Sequence, residues 1–244
     1  MNISTLKPQQ DPMGSAMLDY LQTGKASQLR VLSPMFDEDT IDVSYLFRTP
    51  SQMPKLERKA LELARGHVLD VGAGTGCHAL ALQEKMEVTA IDVSPLSLKV
   101  MQQRGVHDAR CINLFDFRLE GTYDTILLLM NGTGIIGNMR NMSTFFARMR
   151  TLLNHDGQIL MDSSDLKYLY DDEEELPPYG TSIYERYYGE IDYSMAYRDV
   201  KGEAFEWLYV DFQTLRMVAA ANGFHCEQIM VGDHYDYLAR LTLK

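Results

Sequence analysis

The stretch Val68-Leu69-Asp70-Val71-Gly72-Ala73-Gly74-Thr75-Gly76 decides how the rest of the chain reads. An apolar strand at 67–71 runs into alternating glycines, and a helical pattern follows at 78–84. Glycines at such a turn let the backbone bend sharply and approach a ligand that a β-carbon would exclude. Asp70, ahead of the first glycine, is placed to attract an ammonium group.

Outward from this loop, apolar strands alternate with helical patterns, which points to a parallel sheet covered on both faces. The second strand is expected at 88–91 with Asp92 at its end. Ser94-Pro95 caps a helix that stops at Gly105. Strands at 109–112 and 123–129 follow, then a helix at 142–153 and a turn, Asn154-His155-Asp156-Gly157. A fifth strand falls at 158–162. Asp211 caps a helix to Asn222, with Gly223 as its stop. Strands at 224–231 and 235–243, joined at Gly232-Asp233, give an antiparallel finish. Upstream, 51–64 reads as a helix with Pro54 in its first turn and Gly66 beyond its end. The fold class is therefore α/β: a doubly wound, mostly parallel seven-stranded sheet with an antiparallel last strand.

Two regions fall outside the rhythm. Residues 1–50 form an N-terminal segment with a short helix at 13–21. An insertion at about 165–210 carries alternating Ile191, Tyr193, Met195 and Tyr197. After a Lys201-Gly202 turn come Phe205, Trp207 and Tyr209, which together read as a β-hairpin. The remainder, 51–244, reads as one domain.

The acid, the spaced glycines and a second acid ending strand two resemble the cofactor site of the class I S-adenosylmethionine-dependent methyltransferases. The resemblance covers about 66–162, and the two C-terminal strands fit the usual Rossmann-like ending. It implies that Gly72, Ala73, Gly74 and Gly76 hold the methionine part of S-adenosylmethionine, beside Asp70. It implies that Asp92, next to Val93, holds the ribose. Asn113 matches the position that contacts adenine, next to Leu114, and Met130 completes the cofactor set. Many members carry an acid where Asn113 stands.

The rival is a dinucleotide-binding oxidoreductase. Its fingerprint spaces the third glycine one residue later than Gly76, at the position of Cys77. A pyrophosphate would also be repelled by Asp70. Yet a second loop, Met130-Asn131-Gly132-Thr133-Gly134-Ile135-Ile136-Gly137, spells that fingerprint after strand four. No acid ends a strand about 20 residues further on. In doubly wound sheets the loops after strands one and four flank one crevice, so this loop reads as the opposite wall of the site. In the resembled family this segment commonly meets substrate. Base N-methylating members usually carry Asn or Asp, two prolines and an aromatic there, unlike Asn131-Gly132-Thr133-Gly134. Asn131 either touches substrate or cofactor, or closes a local turn.

Methyl transfer from a sulfonium needs chiefly proximity and alignment, and a base only for a protonated acceptor of high pKa. Asp162 and Asp165, in Asp162-Ser163-Ser164-Asp165 at the ligand edge of strand five, are candidates for substrate contact; the alternative is a capped turn. His78 is a base or ligand contact, or a packed or capping histidine. Arg48, within Tyr45-Leu46-Phe47-Arg48, meets a substrate carboxylate or makes an ordinary surface pair. The N-terminal segment and the aromatic insertion suggest a lid, though those rings could equally bury against the sheet edge or a partner subunit. The run Asp171-Asp172-Glu173-Glu174-Glu175 reads as a solvated loop.

A net charge of −11 argues against a phosphate-backbone binder, so no nucleic-acid partner is expected. No signal peptide or membrane span is visible, and Cys77, Cys111 and Cys226 show no metal spacing. The expectation is a cytoplasmic enzyme with three buried reduced thiols and no metal. A homo-oligomer is compatible with it, and the expected acceptor is a small molecule. Protein or RNA methylation and a non-catalytic cofactor-binding role are the alternatives.

Overall fold

The computed structural model describes residues 4–170 and 186–244. Helix α1 (Pro12–Thr23) is capped by the Asp11 carboxylate, which accepts from the Gly14 amide. Two short strands follow, β1 (Leu29–Leu32) and β2 (Asp39–Ile41), and then α2 (Lys55–Leu63). Strands and helices next alternate: β3 (Val68–Val71), α3 (Cys77–Leu82), β4 (Val88–Asp92), α4 (Pro95–Arg104) and β5 (Asp108–Cys111). After β6 (Tyr123–Leu128) come α5 (Met142–Leu152) and β7 (Leu153–Ser164). The remaining elements are β8 (Glu190–Tyr197), β9 (Val200–Lys201), β10 (Phe205–Leu208), α6 (Phe212–Ala221), β11 (Phe224–Val231) and β12 (Asp236–Leu243).

Seven strands form the main sheet in the order β11-β12-β7-β6-β3-β4-β5. Pairings among β3 to β7 are parallel, and β12 alone runs antiparallel to its neighbours β7 and β11. The expected fold class is the one observed. The chain moves outward from β3 through β4 to β5, then returns to the other side of β3. The crevice above the carboxyl ends of β3 and β6 is thus the topological switch point, where open α/β sheets bind ligands.

Both faces of the sheet are covered, so alternate residues of a strand enter different cores. Leu127 and Leu160 pack with Leu56 and Ala60 of α2, Leu82 of α3 and Met101 of α4. Ile126, Leu128, Ile159 and Met161 pack with Phe145 and Phe146 of α5 and Leu215 of α6. Each fully buried Leu, Ile, Met or Phe among them is worth about 1.5–3 kcal/mol relative to exposure. This sandwich holds the two loops of the crevice in place.

A second, antiparallel sheet has the order β10-β8-β1-β2, with β9 also on β8. β8 and β10 pair antiparallel, with Phe205 opposite Tyr193 and Trp207 opposite Ile191, but the expected turn at Lys201-Gly202 falls instead at 198–199, because Lys201 pairs with Ala196 in β9. The N-terminal segment extends it, since Leu29 pairs with Tyr197 and Val31 with Met195. Ala16 and Met17 of α1 pack with Leu29, Val43, Leu46, Tyr197 and Val100 of α4, fastening the small sheet to the large domain.

Several local expectations need correction. The helix expected over 51–64 starts only at Lys55, because Pro54 drives Met53 out of helical angles. A separate 3₁₀ turn, Pro50–Gln52, sits ahead of it under a Thr49–Gln52 capping box. The turn expected at 154–157 is an irregular start to β7: Tyr123 faces Leu153, but Thr125 already faces Gln158. Only Cys77 is buried, and Cys111 and Cys226 are half-buried free thiols. Residues 171–175 lie outside the described residues.

Candidate active site

Gly72, Gly74 and Gly76 all take positive φ, at 69°, 56° and 79°. The amides of Gly72 and Ala73 donate to the Ile91 carbonyl at 2.9 and 3.0 Å, tying the loop to the end of β4. Asp92 then joins loop to loop: Oδ2 accepts from the Gly74 amide and Oδ1 from the Ser94 amide, both at 2.8 Å. Burial raises the Asp92 carboxyl to about 6, with the Ser94 and Gly74 amides pulling the other way. The side chain of Asn113 accepts from the Phe115 amide at 2.9 Å, just past β5, and Leu114 is buried. The Val93 carbonyl accepts from the Leu6 amide at 2.8 Å, so the N-terminal segment reaches the same rim.

Asp70 is 1% exposed, on a strand buried throughout. Its Oδ1 lies 3.6 Å from His78 Nδ1, while its Oδ2 has no hydrogen-bond partner among the described residues. The other ring nitrogen of His78 lies 2.9 Å from Glu57 Oε2. That same oxygen accepts from Arg48 Nε at 3.0 Å and Nη2 at 2.6 Å. Burial alone would lower the His78 pKa, but the Asp70 and Glu57 carboxylates outweigh it and lift it to about 10. A neutral imidazole has one N–H, and only the imidazolium can donate to both carboxylates.

This cluster revises two readings. Arg48 does form an ion pair, but a buried one, with its guanidinium 4.7 Å above the Tyr45 ring. His78 is packed, as the plainer reading had it, yet what it packs against is a pair of carboxylates. Glu57 was missed altogether. It shares a helical stripe with Ala60, Leu61 and Ala64, and a charge on such a stripe is the signal that could have found it.

The second glycine loop forms the facing wall. A β-carbon on Gly72 would come within 3.1 Å of Ile135 Cδ1, so the two loops touch. Met130 and Asn131 both hold left-handed angles, at φ 66° and 56°, which non-glycine residues rarely adopt and functional sites often retain. Asn131 accepts from the Ser164 hydroxyl at 2.8 Å, and Asp162 Oδ1 accepts from the Gly132 amide at 3.0 Å. Burial raises Asp162 to about 6 despite those amides; Glu57 adds to the rise and His78 opposes it. Asp165 belongs to a turn: Oδ1 accepts from the Lys167 amide at 2.9 Å and the Tyr188 hydroxyl at 2.6 Å.

The second loop's fingerprint has a packing explanation. Gly134 lies flat under the Trp207 indole of β10, where a β-carbon would fall 1.8 Å from Cε2. A β-carbon on Gly132 would fall 2.7 Å from Leu128 Cβ. Thr133, fully buried, donates to the Leu208 carbonyl at 2.9 Å, and its hydroxyl lies 2.7 Å from Ser163 Oγ. The loop is occupied by the protein itself.

Residues 68–157 match a family model described as a methyltransferase domain. A crystal structure of a S-adenosylmethionine-dependent methyltransferase from Bacteroides fragilis, in complex with S-adenosyl-L-homocysteine, is 58% identical over 100% of this chain and 99% of that one. Its TM-score is 0.92. The chain belongs to the S-adenosylmethionine-dependent methyltransferases.

This methyltransferase is also 31% identical over 114 residues to a glycine/sarcosine/dimethylglycine N-methyltransferase of Actinopolyspora halophila. That match takes in 43% of this chain and only 20% of the relative. The sugar N-methyltransferase KedS8 of a Streptoalloteichus species shares the fold, with TM-score 0.55 at 18% identity over 82% of this chain and 88% of that one. The cofactor is S-adenosylmethionine, and the residues present fit it. The methyltransferase has a buried carboxylate oxygen without a partner at Asp70, and around Gly74 the nearest atom to an added β-carbon is 3.9 Å away. Among the described residues no cluster of His, Cys, Asp or Glu could hold a metal ion, and no helix is long and apolar enough to cross a membrane.

Proposed function

We propose that this methyltransferase acts on a small-molecule acceptor held between the two glycine loops, beneath a lid made by β10-β8-β1-β2. The observation that carries this reading is the docking of Trp207, a lid residue, on Gly134 of the second loop. It places an aromatic wall from the insertion beside the switch-point crevice, which suits enclosure of a small ligand and exclusion of water. The net charge of −11 weighs against a phosphate backbone as substrate. The relatives whose names state an acceptor act on glycine derivatives and on a sugar, which supports a small acceptor here.

In this reading Asp70 Oδ2 takes the ammonium group of the cofactor, the backbone of Gly72, Ala73, Gly74 and Gly76 cradles the methionine part, and Asp92 takes the ribose hydroxyls. Val93, Asn113, Leu114 and Met130 border the adenosine. Bound there, S-adenosylmethionine supplies an electrophilic methyl group whose transfer returns the carbon–sulfur electrons to sulfur. Asp162 orients the acceptor and can receive a proton it releases, because burial makes it a stronger base than an ordinary carboxylate. Asn131 shapes the loop that faces the acceptor. Asp165 acts behind it, through Tyr188.

The test is incubation with trideuteromethyl S-adenosylmethionine and a small-molecule cell extract, followed by mass spectrometry. A metabolite gaining the labelled methyl group is expected. Label confined to protein or RNA, or cofactor binding with no turnover on any fraction, would overturn the reading.

A further inference from the structure

The buried chain Arg48–Glu57–His78–Asp70 is longer than cofactor binding by Asp70 requires. Its four groups come from four places: the segment before α2, α2 itself, α3 and β3. Arg48, Glu57, Asp70 and His78 are each less than 8% exposed. Two cations and two carboxylates alternate, so the chain is neutral, yet one carboxylate oxygen, Asp70 Oδ2, stays without a partner. At its other end Arg48 Nη1 donates to the Tyr45 carbonyl at 3.1 Å, and the guanidinium lies over the Tyr45 ring. One further cationic donor at Oδ2, on the strand that leads into the first glycine loop, completes the set.

The same segment is tied to the cofactor loop at two further points. The Leu46 carbonyl accepts from the Thr75 hydroxyl and, at 3.0 Å, from the Cys77 thiol. Arg104 of α4 donates to the Thr75 carbonyl at 2.7 Å and lies 4.9 Å above the Phe47 ring. Segment 45–48 thus rests on the glycine loop through backbone, ring and charge together.

We infer that His78, Glu57 and Arg48 are positioning residues for the methionine end of the cofactor, and that they link its occupancy to the seating of segment 45–48. His78 fixes the Asp70 carboxylate with Oδ2 free. Glu57 holds the imidazolium from behind, and Arg48 neutralises Glu57 from the lid side. The inference rests on the reading that Asp70 meets the ammonium group. The charged groups facing His78 are Asp70 on β3, Glu57 on α2 and, further off, Asp162 on β7.

The consequence is a proton count. With His78 replaced by a neutral residue, the buried Asp70 loses the cation beside it, so cofactor binding is expected to couple to a proton. For His78→Ala, S-adenosylhomocysteine binding is expected to release about one proton more than in the wild type near neutral pH. Its affinity should rise more steeply with increasing pH than that of the wild type, by up to about tenfold per pH unit. Calorimetric titrations in buffers of different ionisation enthalpy read both quantities without turnover. His78→Gln, neutral and close in size, carries the same expectation if the alanine variant does not fold.

Hydrogen exchange supplies the second arm. S-adenosylhomocysteine should slow amide exchange over 45–48 in the wild type and lose that effect in Arg48→Met. A His78 variant with weaker binding but wild-type proton release would reduce the residue to packing and overturn the inference. So would exchange at 45–48 that is indifferent to the ligand. Asp70→Asn separates the two levels: unchanged binding there would remove the Asp70 reading itself, whereas lost binding with a silent His78 would remove only the present inference.

Discussion

Replacing Gly134 by alanine tests whether the second glycine loop serves packing or a ligand. The added β-carbon would fall 1.8 Å from Trp207 Cε2, 2.1 Å from Nε1 and 2.2 Å from Cδ2. The overlap is with the rigid body of the indole, and no rotation of a flexible tip relieves it. The ring is pinned as well, by pairing of Trp207 with Ile191 and by the edge of Phe205, 6.0 Å away. Relief requires β10 to lift, which strains the bond from Thr133 to the Leu208 carbonyl. Overpacking of this kind costs about 1–3 kcal/mol. In a chain of this length that is a fall in Tm of about 2–12 °C, measurable by circular dichroism. Trp207→Ala removes the obstacle, so the double variant should be less destabilised than the two single effects summed. Binding of S-adenosylhomocysteine should survive in Gly134→Ala while methyl transfer falls. An unchanged Tm with lost cofactor binding would refute the reasoning and return the loop to a ligand-cradling role.

Four further outcomes are expected. Asp92→Ala should weaken S-adenosylhomocysteine by about 100-fold or more in a calorimetric titration, since two bonds to a charged acceptor are lost at about 1.5–3 kcal/mol each. Burial raises Asp92 and Asp162 to about 6, so their contribution to stability is fully present below the ordinary value near 3.8 and is lost as pH rises through about 6. The unliganded chain should accordingly lose that increment of Tm between about pH 4 and pH 7, while ligand-induced stabilisation grows as Asp92 ionises; the reverse trend in a thermal scan would contradict both assignments. Asp162→Ala should raise KM or lower kcat for the acceptor with cofactor affinity little changed, and a truncation starting at Ser51 should lose activity; wild-type kinetics in either would remove the corresponding role.

The parallel core was legible because its signals are local. Gly72, Gly74 and Gly76 sit where the turn demands positive φ, Ser94 and Asp211 cap the helices they precede, and Gly105 ends α4 in a left-handed conformation. The small sheet was only half legible. Its hairpin alternates visibly, but β1 and β2 are four and three residues long with little pattern of their own. They exist because Leu29 meets Tyr197 across the tertiary fold, which no window on the sequence can contain. The buried ion chain was hidden for a different reason. Arg48 and Glu57 are residue types that favour the surface, and only their mutual neutralisation with His78 and Asp70 lets them leave it. The second fingerprint misleads for the same reason, since Gly134 is required by an indole ring 73 positions further along.

A crystal structure of this methyltransferase with S-adenosylhomocysteine bound would test the central claim most directly. The account predicts the amino group on Asp70 Oδ2, the ribose hydroxyls on Asp92, and the sulfur turned toward Asp162 and the Asn131 loop beneath the lid. A sulfur facing away from that loop, or an amino group held elsewhere with Asp70 Oδ2 still unpaired, would contradict it.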